Sequence, residues 1–353
     1  MKHRDQTVDV LKGMLVFGMV LSHVLGLMSS NDTFPIKHIW LLTGLVTFSG
    51  FVFSFGYACQ LAYFGKDFHT SYRRMLMTAL KLLVAFYISG IYWRAFVDKS
   101  LDFKTVAKIL ILRDIPPFSE FLVSFSLIIL VSLLLFNPIQ KITTHHKVFW
   151  ATFLLLLLTT FIPYQWVTIG QVGLIIGTNQ FPTYPVLQYF PIYLAGIYFA
   201  KHRIFTNKQF SVISVLGLIG FILHYVLKDQ VPSRFPPSFL WIAASLFCVY
   251  VYYLAARYLS KWRFLAEILS GWGKNVLFYL LMSNIIIFTF RGAYDRLYLT
   301  LSASIGSTLL MLLMIHFFIT IVSTQKQSAT TSQRQVYEPI QAAEYAPKEV
   351  RIQ

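Results

Sequence analysis

Apolar runs of roughly 20 residues, the length that crosses a bilayer's hydrocarbon core, recur along nearly the whole of this 353-residue chain. A water-soluble globule has no use for so many. The composition agrees, with 56% hydrophobic and only 12% charged residues. In hydrocarbon each segment must satisfy its own backbone N–H and C=O groups, and runs of this length do so as helices. The sequence therefore predicts an all-α polytopic membrane protein, a bundle of about ten transmembrane helices. They are expected near residues 8–29, 38–64, 73–96, 117–136, 147–163, 185–201, 208–227, 236–258, 272–290 and 297–323.

Residues 1–323 form the predicted membrane domain. From Thr324 to residue 353 the composition turns to Ser, Thr, Gln and charges, and this tail is expected to be disordered. Lys2 and Arg4 precede the first apolar run as in a signal peptide. Asp9 and Lys12 interrupt that run, so it is read as an uncleaved first span. Lys and Arg are more numerous in the segments that face the cytoplasm if both termini do, which sets the expected orientation in a cytoplasmic membrane. Arg94 at the end of helix three and Lys99, Lys104, Lys108 and Arg113 between helices three and four are the exception. There "LDFKTVAKILILR" spaces Phe103, Val106, Ala107 and Leu110 helically against Lys104 and Lys108, as in a short helix lying in the membrane interface.

The net charge of +16 does not point to nucleic acid, because basic loops explain it and no Arg-rich stripe or zinc-knuckle spacing accompanies it. Cys59 and Cys248, the two cysteines, lie within apolar segments and make neither a disulfide framework nor a thiolate metal site. No metal is expected. The segment "PYQWVTIGQVGLIIGTNQFPTYP" carries no charge, four aromatic residues and three glycines. It reads either as a re-entrant lid over a site or as an ordinary apolar connector.

Ionisable residues inside spans are costly and mark function or a specific pairing. Lys12, Lys81 and Lys274 fall within predicted spans. In "VDVLKGMLVFGMVLSH", Lys12 and His23 are close to three helical turns apart, on one face and about 16 Å from each other. Asp9 precedes Lys12 by three residues, near enough to pair with it. All three polar groups are expected to face the bundle interior. A snorkelling Lys12 paired with Asp9 is the plain alternative for that couple.

This stretch resembles the first-helix signature of the acyltransferase-3 family of integral-membrane acyltransferases. That signature is an acid, then Leu-Arg-Gly, then a hydrophobic run and a His, with ten residues between Arg and His. Asp9, Leu11, Lys12, Gly13 and His23 stand on those positions. Lys12 replaces the Arg, keeping the charge and losing the bidentate fork. "FSGF" at Phe48–Phe51 is similar to the family's second-helix segment, and "YRRMLMTALK" resembles the basic motif opening its third helix. "LSGWGKNVLFYLLMSN" is similar to a late segment in which Asn275 takes a Ser position and Tyr279 a Tyr position. Met282 stands where His is often found, followed by Ser283 and Asn284.

The resemblance implies transfer of an acyl group, commonly acetyl from acetyl-CoA, to a hydroxyl of a cell-surface glycan or its lipid-linked precursor. It implies His23 as general base. Helix rise puts Glu120, in the first turn of the fourth predicted helix, at the same level in the outer half, as the second catalytic residue that would orient His23. A Glu favourable to the helix dipole is the plain alternative. Lys12, Arg73 and Arg74 would hold the phosphates of coenzyme A; the positive-inside rule alone would also place those arginines. Asp9, Lys81 and Asn284 are the expected substrate contacts. The partners implied are membrane lipid, the glycan or lipid-linked sugar, and a homo-oligomer or other envelope-biosynthesis proteins. The competing expectation is a transporter of an envelope polysaccharide or lipid-linked sugar, which buried ionisable residues would also suit.

Overall fold

The computed structural model describes residues 6–30, 33–294 and 297–344, with side chains through residue 322. The described chain is a helical bundle without strands. It opens with α1 (Thr7–Met28), α2 (Ile36–Cys59, prolonged by a π-helical turn Gln60–Phe64) and α3 (Phe68–Phe96). A short α4 (Phe103–Leu110) leads to α5 (Glu120–Leu134), α6 (Phe136–Thr144), α7 (His146–Leu157) and α8 (Gly170–Ile176). The second half holds α9 (Val186–Lys201), α10 (Lys208–Lys228), α11 (Phe239–Leu259), α12 (Arg263–Lys274), α13 (Val276–Ala293) and α14 (Leu301–Glu344).

Each of the ten predicted segments holds a helix, yet only seven described helices are long and apolar enough to cross a membrane. They are α1, α2 with its π turn, α3, α10, α11, α13 and the Leu301–Val322 part of α14. An eighth span results if α5 and α6, bent by 84° at their junction, are taken together. Pro138 lies in the first turn of α6, where its missing N–H costs nothing, and it cannot donate back to Leu134 to continue α5. The apolar stretch His146–Phe161 is shorter. In α9 every residue except Leu187 and Lys201 is buried. Its hydropathy answers to protein rather than to lipid, so bilayer thickness does not set its length.

Burial separates the bundle into inner and outer helices. Of the most apolar windows of α1 and α2, 67% and 72% of residues are buried, against 22% for α10 and α14. Glycines let inner backbones touch. A Cβ on Gly56 would lie 2.1 Å from the Tyr193 carbonyl oxygen, and one on Gly196 would lie 2.0 Å from that of Phe53, so α2 and α9 meet backbone to backbone. Such contact replaces the missing hydrophobic drive between helices in lipid.

Two expectations change. The ninth span, expected from 272, begins instead at Val276, because Gly271, Gly273 and Lys274 belong to α12, a separate amphipathic helix. Backbone helix continues to Glu344, past the boundary at 323 beyond which the sequence assigned no structure; residues 345–353 lie outside the described residues. The short helix expected between helices three and four is present as α4, capped by Asp102, whose carboxylate accepts from the Thr105 N–H at 2.6 Å. Ile109 is its buried residue, while Phe103 is 89% exposed, as a side chain facing lipid would be.

Candidate functional site

Residues four or seven apart on a helix share a face, and α1 uses this to present Lys12, Met19 and His23 along one stripe. The stripe borders two cavities. His23 lines a cavity of about 250 Å³ together with Glu120, Arg234, Tyr184, Trp40 and Phe48. Lys12 lines a larger cavity of about 530 Å³ that also receives Lys81 and Lys274. Met19, Phe51 and Phe121 belong to both linings and form the partition between them. The three lysines that the sequence places inside spans thus converge on one cavity. The imidazole stands in the wall of its neighbour.

His23 is held by a defined network. Its Nδ1 lies 2.9 Å from Asn284 Oδ1. The Asn284 amide nitrogen donates to Ser89 Oγ at 3.0 Å and to the Phe118 carbonyl at 3.1 Å. A carbonyl only accepts, so the amide nitrogen must face Phe118, which turns the amide oxygen toward His23. Nδ1 therefore carries a proton and donates to Asn284, so that in the neutral ring Nε2 is the basic nitrogen. The Phe118 ring packs edge-on against the imidazole, with centroids 5.0 Å apart. Asn284 is fully buried and absent from both cavity linings. The expected substrate contact is instead the residue that orients His23.

Glu120 shares the cavity with His23, as the helix levels predicted, but does not orient it. It opens α5, and its Oε2 is buried without a hydrogen-bond partner. The residue that the sequence reading passed over is Arg234. It lies in the connection between α10 and α11. Its Nη2 donates to the Tyr184 hydroxyl at 3.0 Å. The guanidinium carbon stands 4.6 Å from the Phe235 ring centre and 5.8 Å from those of Trp40 and Trp241. A cation walled by aromatic faces is partly stabilised by their quadrupoles. The signal available in advance was a lone Arg set among Pro232, Phe235, Pro236 and Pro237.

Tyr184, at the end of the uncharged segment, is the part of it that reaches the site. The Tyr184 carbonyl accepts from Ser124 Oγ at 2.6 Å, which ties the segment to α5. Trp166 is 74% exposed and lies away from both cavities.

The remaining expected residues divide. Asp9 is buried and pairs with Lys12 at 2.8 Å, as its spacing predicted, and it positions that lysine rather than lining a cavity. Lys81 and Lys274 form no ion pair among the described residues. Arg73 and Arg74 are exposed and line neither cavity. Arg74 lies 5.9 Å from the Tyr63 ring centre, and the Tyr63 hydroxyl is 2.9 Å from Thr78 Oγ1, a residue of the lysine cavity. Arg74 is thus one residue removed from that lining. Ser283 donates to the Leu280 carbonyl within its own helix, and His316 finds a partner in the Tyr279 hydroxyl at 3.1 Å.

Among the described residues no three His, Cys, Asp or Glu side chains converge as metal ligands would. The charges available to a ligand are cations in both cavities and the single carboxylate of Glu120. Comparison with family models, curated proteins and solved structures gives no match to this chain.

Proposed function

We propose that this multi-pass membrane protein is an O-acyltransferase that moves an acyl group from acyl-CoA to a hydroxyl of a cell-surface glycan or its precursor. One observation carries the reading. Lys12, Lys81 and Lys274 line one of two adjoining cavities, and His23, its Nδ1 bonded to Asn284, lines the other.

Acyl transfer between a large anionic carrier and a hydroxyl needs both arrangements. Lys12, Lys81 and Lys274 supply a cationic chamber for the phosphates of the carrier, with Asp9 holding Lys12 in place. The thioester arm would pass the Met19, Phe51 and Phe121 partition to reach His23. There Nε2 takes the proton of the acceptor hydroxyl as its oxygen attacks the thioester carbonyl. The new C–O bond forms, the C–S bond breaks, and the imidazolium returns its proton to the departing thiolate. Asn284 stabilises the imidazolium through the Nδ1–H bond and keeps the ring from rotating. In the orientation that the basic residues favour, Lys12 near the start of α1 would lie toward the cytoplasm, where acyl-CoA is found, and His23 near its end toward the acceptor.

The donor half is tested with purified protein in lipid nanodiscs. Coenzyme A is expected to bind in competition with acetyl-CoA. Lys12→Gln, Lys81→Gln or Lys274→Gln should each weaken it about tenfold, as the loss of a charge-assisted contact implies. Pantetheine, which lacks the phosphates at issue, should bind wild type and variants alike. Absence of coenzyme A binding, or affinity indifferent to all three lysines, would count against the donor site and favour a transporter.

A further inference from the structure

The His23 cavity is lined by a guanidinium and a carboxyl group that do not pair with each other. Glu120 Oε2 is buried with no hydrogen-bond partner among the described residues. Arg234 forms no ion pair among the described residues, although it lines the same cavity as Glu120 and His23. Folding a chain to bring a guanidinium and a carboxylate into one small chamber and then leaving them apart wastes an attraction that costs nothing further to collect. The arrangement is economical if a ligand stands between them.

The ligand's chemistry follows from what each group lacks. Arg234 offers planar N–H donors and a fixed positive charge, and it is partly satisfied only by a tyrosine hydroxyl and aromatic faces. It calls for an anion. Glu120 Oε2 accepts and calls for a hydroxyl donor. Trp40, Phe48 and Tyr184 supply flat apolar walls, the setting in which a few polar groups fix a ligand's orientation. A neutral alcohol would answer Glu120 and leave Arg234 unmet. A simple anion would do the reverse.

We propose that this cavity recognises an acidic acceptor: a hydroxylated ring or polyol whose carboxylate or phosphate is held by Arg234 while a neighbouring hydroxyl donates to Glu120. This deepens the acyl-transfer reading and rests on it only for the fate of the hydroxyl that meets His23. Arg234 is then the residue that selects the acceptor class, and Tyr184 holds its guanidinium in the cavity wall.

The test is calorimetric titration of the full-length protein in nanodiscs with two matched pairs of probes. One pair is methyl glucuronide and methyl glucoside, and the other is glycerol phosphate and glycerol. Wild type is expected to prefer at least one charged member over its neutral counterpart by about tenfold or more, the value of a charge-assisted contact. Whichever pair shows the preference tells carboxylate from phosphate. Arg234→Gln should erase it, and Arg234→Lys should keep part of it. Monodisperse elution and cooperative melting establish that each variant is folded. Failure of both charged probes to bind wild type, equal affinity within both pairs, or a preference that survives Arg234→Gln overturns the proposal. None of these titrations contains acyl-CoA. Loss of the acyl-transfer reading with the anion preference intact therefore leaves this site standing, and the converse result removes it alone.

Discussion

Membranes carrying His23→Ala should transfer acyl groups about 10²- to 10⁴-fold more slowly than wild type, the range set by losing a positioned general base. The fold should survive the change. His23 contributes one bond to Asn284, whose amide nitrogen keeps its bonds to Ser89 and Phe118 when the ring is removed. The cost is an Asn284 oxygen left without its partner, about 1–3 kcal/mol if no water reaches it. A variant that melts slightly earlier and loses nearly all turnover is the expected outcome. Initial rates from labelled acetyl-CoA, measured at matched expression, read the second quantity, and the melting of purified protein reads the first. Turnover within a few-fold of wild type would show that His23 is a packing residue.

The second large effect is on stability. A Cβ on Gly273 would lie 1.8 Å from the Asp9 carbonyl oxygen and 3.0 Å from the Gly13 nitrogen, and one on Gly13 would lie 2.0 Å from the Leu269 carbonyl oxygen. Thus α1 and α12 are locked backbone to backbone, with no flexible side chain to yield. Gly273→Val must push the helices apart, and overpacking of this kind costs about 1–3 kcal/mol or more. The separation also reaches the lysine cavity, because Gly273 and Lys274 line it opposite Lys12. We expect a clearly lower melting temperature and weaker coenzyme A binding. Gly306→Val is the matched control, since a Cβ there meets nothing within 4 Å, and it should melt with wild type. Equal melting of the two variants would mean that α1 and α12 do not touch as described.

Much of the architecture was legible because lipid imposes a one-dimensional rule on the sequence. Length and apolarity locate helices such as α10 and α14 that face the bilayer, where each segment answers to the same solvent. The rule loses force inside the bundle. Burial in protein makes α9 as apolar as a span without requiring it to be one. At the site, spacing along α1 was enough to align Lys12 with His23 and to pair Asp9 with Lys12, since helical geometry is local. Contacts between distant segments were not accessible in that way. Asn284 is 261 positions from His23, and nothing local distinguishes an asparagine that touches substrate from one that supports the base. Arg234 escaped for the same reason: its aromatic surroundings come from α2 and α11 as well as from its own loop.

The central claim is that the two cavities together move an acyl group onto a hydroxyl. Its most direct test is incubation of membranes bearing the wild-type protein with radiolabelled acetyl-CoA and endogenous envelope glycan, alongside membranes lacking the protein. The account predicts label in the glycan that is released by mild alkali, as an ester is, and that depends on the protein. Label no greater than in membranes lacking the protein would contradict it.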